Sequence, residues 1–118
     1  MPFTGLQPGR ILERFNWTIQ AGDARYTPQR PSAEGAGIED LHLRVERQTI
    51  RKPSSSGAVV FTIRICMDPL LSILANPDWR DAFEDAWLGA PEPVRKYKGW
   101  ADLEPLVAQA CRRAAYAL

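Results

Sequence analysis

Histidine and cysteine are scarce in this 118-residue chain, and their scarcity removes most autonomous chemistry. His42 stands alone, and the two cysteines, Cys66 and Cys111, are far apart. No paired-cysteine zinc motif, redox CxxC or HExxH is therefore available. A Ser-His-Asp triad would have to use His42, and no GxSxG elbow marks a nucleophile. A Walker loop and a GxGxxG fingerprint are both absent. Charge of one sign is lacking too. Fifteen Lys and Arg against fourteen Asp and Glu give a net charge of +1, which argues against a dedicated nucleic-acid binder. The longest apolar runs, Ala58–Phe61 and Ala114–Leu118, fall far below the roughly 20 residues of a membrane-spanning helix. Met1-Pro2-Phe3-Thr4-Gly5 has neither the basic nor the apolar region of a signal peptide. The expectation is a soluble, cytoplasmic chain of one domain, residues 1–118, with its cysteines as small buried apolar residues.

What is present is a change of hydrophobic period along the chain. Ile11–Gln20 is rich in aromatic and β-branched residues and predicts a strand. Residues 21–40, punctuated by Pro28, Pro31, Gly35 and Gly37, predict a long loop. Leu41–Arg51 alternates, with Leu41, Leu43 and Val45 apolar and His42, Arg44, Glu46 and Gln48 polar. Lys52–Gly57 supplies turn chemistry, and Ala58–Met67 predicts the second strand of an antiparallel hairpin. If like faces stay together, Arg44, Glu46, Gln48, Thr62 and Arg64 share one polar face, and a one-residue slip breaks that grouping.

From Asp68 the period is helical. Asp68-Pro69 reads as the cap and first turn of a short helix to about Ala75. Asp78 reads as the cap of a second, with Trp79, Ala82, Phe83, Ala86 and Trp87 on one stripe, ending at Gly89-Ala90-Pro91. A last helix from about Asp102 carries Leu103, Leu106, Val107, Ala110, Cys111 and Ala114. Strands followed by helices predict an α+β fold. Three strands are few for so many helices, so the chain either pairs its open sheet edges with another copy or is a partial domain.

Arg44, Glu46, Arg47, Gln48 and Arg64 form the densest polar group, suited to binding a carboxylate bidentately. A solvated sheet face with weak cross-strand ion pairs explains the same residues. His42 on that strand is more simply an exposed polar residue than a metal ligand, and no metal site is expected. Trp17, Trp79, Phe83 and Trp87 read as core. Tyr97 and Lys98, ahead of Gly99, either present a phenol and an ammonium at a pocket mouth or belong to a helix C-cap with a snorkelling lysine.

Four blocks occur together: Arg14-Phe15-Asn16-Trp17, Leu43-Arg44-Val45-Glu46-Arg47-Gln48-Thr49, Gly57-Ala58-Val59-Val60-Phe61-Thr62-Ile63-Arg64 and Tyr97-Lys98-Gly99. In that order and spacing the chain resembles the haem-dependent oxidative N-demethylase alpha-subunit-like family, over about residues 10–100. The resemblance implies a PAS-like antiparallel sheet (hairpin 41–51/58–67 plus strand 11–20) with C-terminal helices, and a haem b cofactor. It implies oxygen-dependent demethylation of small secondary amines, with electrons from a partner reductase subunit. Family members are more than twice as long, so the chain resembles their C-terminal half, and the iron ligand is expected in an upstream half. On this reading Glu46 pairs with the protonated amine, and Arg44, Gln48 and Arg64 contact the haem. Arg47, Tyr97 and Lys98 then line the substrate pocket. The alternative is a non-catalytic PAS-like interaction or sensor fragment without haem.

Overall fold

The computed structural model describes residues 9–52 and 57–116. Three strands form one antiparallel sheet in the order β1-β2-β3: Ile11–Ala21 (β1), Leu41–Arg51 (β2) and Val60–Pro69 (β3). Four helices follow, Leu70–Leu74 (α1), Pro77–Gly89 (α2), Glu92–Lys98 (α3) and Glu104–Tyr116 (α4). Short 3-10 turns occupy Ile38–Asp40 and Trp100–Asp102. The α+β expectation holds. The second hairpin strand starts and ends two residues later than its alternation predicts, and α3 is an element the periodicity did not reveal. Part of the turn expected at 52–57, residues 53–56, lies outside the described residues.

Helix starts differ from the sequence reading for local reasons. Asp68 and Pro69 stay in β3, and Pro69 is the N-cap of α1. Asn76, not Asp78, caps α2: its side chain accepts from the amides of Asp78 and Trp79 at 3.0 and 3.2 Å. Pro77 then takes the first helical position, where its missing N–H costs nothing. Asp102 lies in a 3-10 turn ahead of α4. Gly99 closes α3 in the left-handed region, at φ 68°, as a helix C-cap requires.

The chain divides into two compact units. The second, Thr18–Arg44 with Met67–Leu118, holds all four helices. There α1 packs on α2 and α4. Eleven of the twelve buried apolar residues among those described belong to it, including Ile19, Leu41, Leu70, Leu74, Trp100 and Val107. Trp100 is fully buried and stacks on Trp87 at 4.2 Å between ring centroids, with Phe83 continuing the stack at 5.9 Å from Trp87. Its indole N–H donates to Thr18 Oγ1 at 2.8 Å, so the ring is anchored at its polar end as well. Trp79 is a correction: at 56% exposure it is not core, because only the Phe83–Trp87 part of its stripe is covered.

The first unit, Met1–Trp17 with Val45–Cys66, contains strand segments and no helix among its described residues. Ile50 is its one buried apolar residue among those described. Ile11, Leu12, Phe15, Val59, Val60, Phe61 and Ile63 are all exposed. A few strands without a covering layer have nowhere to bury such side chains.

Trp100→Ala removes the stack and the Thr18 hydrogen bond together. It is expected to cost about 3–5 kcal/mol, read as a lowered midpoint in urea denaturation followed by circular dichroism. A midpoint shift under a few tenths of a molar would show that the ring is not the centre of the second unit.

Candidate functional site

The polar residues of β2 fall to two units and are described in turn. Arg44 belongs to the second. It is 8% exposed, and its guanidinium donates to Gln20 Oε1 at 3.2 Å, Ala24 O at 3.2 Å and Arg25 O at 2.8 Å. Gln20, itself buried, turns its amide N–H groups on Gly22 O and Ala24 O at 3.1 and 3.0 Å. Both side chains thus satisfy carbonyls of the loop after β1. A buried fork of donors is matched here to carbonyls that helix or sheet would otherwise pair. Sequence reasoning missed Gln20, whose one visible signal is its place on the Thr18 face of the strand.

Tyr97 and Lys98 also belong to the second unit, at the end of α3. Tyr97 is exposed, and its carbonyl accepts from Arg30 Nη2 at 2.7 Å. Lys98 Nζ lies 5.6 Å from the Trp100 ring centroid. The snorkelling-lysine reading of Tyr97-Lys98-Gly99 describes this geometry. A Cβ on residue 99 would meet only the mobile guanidinium end of Arg30, so it is the positive φ that favours glycine there. Arg95 sits 4.8 and 5.3 Å from the Trp87 and Trp100 centroids, donates to Trp87 O and pairs with Glu104 at 3.2 Å. His42 Nδ1 lies 2.9 Å from Asp40 O.

In the first unit, Arg14 donates to Gln48 Oε1, and Gln48 Nε2 donates to Glu46 Oε2 at 3.2 Å. Gln48 is 7% exposed, so this relay is partly sheltered. Arg47 lies on the other face of β2 and holds Glu13 through two hydrogen bonds of 2.8 and 3.3 Å, both residues exposed. That pair is the weak surface ion pair the alternation suggested. The Thr49 and Thr62 hydroxyls meet across β2 and β3. Thr62 and Arg64 therefore share the face of Arg47 and Thr49, opposite Glu46 and Gln48. The hairpin register does not bring Arg64 together with Glu46 and Gln48, and the single polar face expected from like-with-like pairing is not formed.

Both cysteines are free. Cys66 is exposed rather than buried. The Cys111 thiol is pushed up from 9.0 to about 11, first by burial and then by the nearby Glu84 carboxylate, with Arg80 opposing. It is a thiol, not a thiolate, at neutral pH.

A family described as haem-dependent oxidative N-demethylase, alpha subunit-like, matches residues 2–108. The chain belongs to this family. Its name makes haem the implied cofactor and other subunits the implied partners. The described residues of neither unit fit a haem by themselves. No buried side-chain polar atom among them is left without a partner to receive a propionate. The Phe83–Trp87–Trp100 stack fills its own space, and Arg44 is spent on loop carbonyls. Among the described residues, no helix is long and apolar enough to cross a membrane.

Arg44→Met should free the loop it holds, at a cost of about 2–3 kcal/mol. Limited trypsin digestion is expected to cut after Arg25 faster than in the parent chain, with the helices still intact by circular dichroism. Equal cutting rates would mean that the guanidinium does not hold the loop.

Proposed function

We propose that this chain is part of a haem-dependent oxidative N-demethylase alpha-like domain, PAS-like in plan, acting on small secondary amines with oxygen. It holds haem only when further polypeptide covers its first unit and supplies the iron ligand. The observation that carries this reading is the family match over nearly the whole chain, set against a first unit whose strands keep their apolar side chains in solvent. Exposed apolar area of that kind marks an interface or an uncompleted core.

Within this reading the first unit supplies the polar contacts. The Glu46 carboxylate, steadied by Gln48, is suited to the ammonium of a protonated secondary amine. Arg64, exposed on the other face, is suited to an anionic group such as a propionate. Arg47, held by Glu13, borders that same face. Arg44 acts by positioning, since it orders the loop after β1. Tyr97 and Lys98, in the second unit, offer a phenol and an ammonium at the end of α3 as substrate-contacting groups. A reductase subunit supplies electrons, and two free cysteines suit a reducing, cytoplasmic setting.

The second reading is a haem-free interaction module, favoured by the commitment of Arg44 to the loop carbonyls. Titrating haemin into the purified chain, followed by absorption in the Soret region, tests the proposal. A broad band that never saturates is expected for the chain alone. A stoichiometric, saturable band would contradict an external iron ligand, and its survival in His42→Ala would then exclude that histidine. If supplying the remainder of the domain produces no saturable band either, the haem-free reading replaces the first.

A further inference from the structure

Residues 22–40 leave β1 and return to β2 as a closed loop of the second unit. Its base is fixed at both ends. The Gly22 amide donates to the Asp40 carbonyl at 2.7 Å, and Ile38 is buried. Gln20 and Arg44, both buried, hold the carbonyls of Ala24 and Arg25. Beyond that clamp the loop changes character. No residue from Tyr26 to Gly35 is buried. Among the described residues, the hydrogen bond that ties this stretch to a helix runs from Arg30 Nη2 to the Tyr97 carbonyl at 2.7 Å. The Arg30 guanidinium lies against Gly99.

The two attachments differ in what it costs to break them. Arg44 donates to Gln20, Ala24 and Arg25 from a buried position, so its release leaves sheltered groups unpaired. Arg30 is exposed, and water can replace it at the exposed end of α3. The last turn of α3 already carries Arg95, Lys96 and Lys98. Arg30 brings a further cation there, so repulsion offsets part of the attraction of the helix C-terminus. From this we infer that residues 26–35 are a strap, latched by Arg30 onto the end of α3, that swings away while the clamp at Ala24 and Arg25 holds. Gly35, at φ 74°, is the far hinge. Closed, the strap occupies the Tyr97 carbonyl and lies on the Gly99 backbone. Open, it yields that turn, and so it controls access to the segment carrying Tyr97 and Lys98. The inference stands on contacts within the second unit, so its failure leaves the haem proposal untouched.

Backbone amide NMR relaxation of the whole, haem-free chain tests the strap without any substitution. Residues 32–35 and 97–99 should share one microsecond-to-millisecond exchange process, with the amides of Gln20 and Arg44 outside it. Arg30→Met should remove that exchange and lower the order parameters of 32–35 below about 0.6, with an unchanged circular dichroism spectrum. Protease Glu-C should then cut after Glu34 about five- to tenfold faster than in the parent chain, as the loss of one hydrogen bond allows. Trypsin cutting after Arg25, at the clamp, should change by less than about twofold. Unchanged cutting after Glu34, equal acceleration after Arg25, or no shared exchange in the parent chain would each overturn the strap.

Discussion

A short stack of strands cannot bury apolar side chains on either face without a second layer, and strands are the only regular elements among the first unit's described residues. The rest of the functional account depends on that constraint. Phe15, Phe61 and Ile63 are exposed, and the four helices described all belong to the second unit.

The second unit shows the opposite condition. Its centre is aromatic, and each polar group brought inside arrives with a partner. Trp100 is fixed by a stack on one side and by the Thr18 hydroxyl at its indole N–H. Arg44 is buried at the cost of its hydration, offset by hydrogen bonds to two loop carbonyls and the Gln20 side chain. Such a guanidinium organises a loop of the chain. The family name implies haem and other subunits, whereas the interior of the second unit is filled by its own residues.

The alternation of Leu41–Arg51 located β2 to the residue, because strand periodicity is a local property. Which face of that strand is sheltered was not legible. Arg44 and Gln48 look like solvent-facing residues until the loop carbonyls and the Arg14 side chain that meet them are known. The hairpin register was equally hidden, since both registers keep the strands apolar and only the meeting of Thr49 with Thr62 distinguishes them. At Asn76-Pro77-Asp78 two residues compete to cap α2. The proline at the first helical position decides for Asn76. Trp79 and Trp87 occupy one helical stripe, yet only Trp87 meets the Trp100 ring, which lies thirteen positions further along the chain. The family was legible for a different reason: the R-V-E-R-Q-T and G-A-x-x-F-T-I-R blocks are specific as sequences, whatever their contacts.

The central claim is that the two units differ in stability because one has a helical layer and the other does not. Hydrogen exchange of dilute, haem-free protein tests it most directly. The amides of 11–17, 45–51 and 60–66 are predicted to exchange at least about tenfold faster than those of α1, the second half of α2 and α4. Uniform protection across both sets in a monomeric sample would contradict the claim. The first unit would then be complete as it stands, and its exposed apolar residues would need a different explanation.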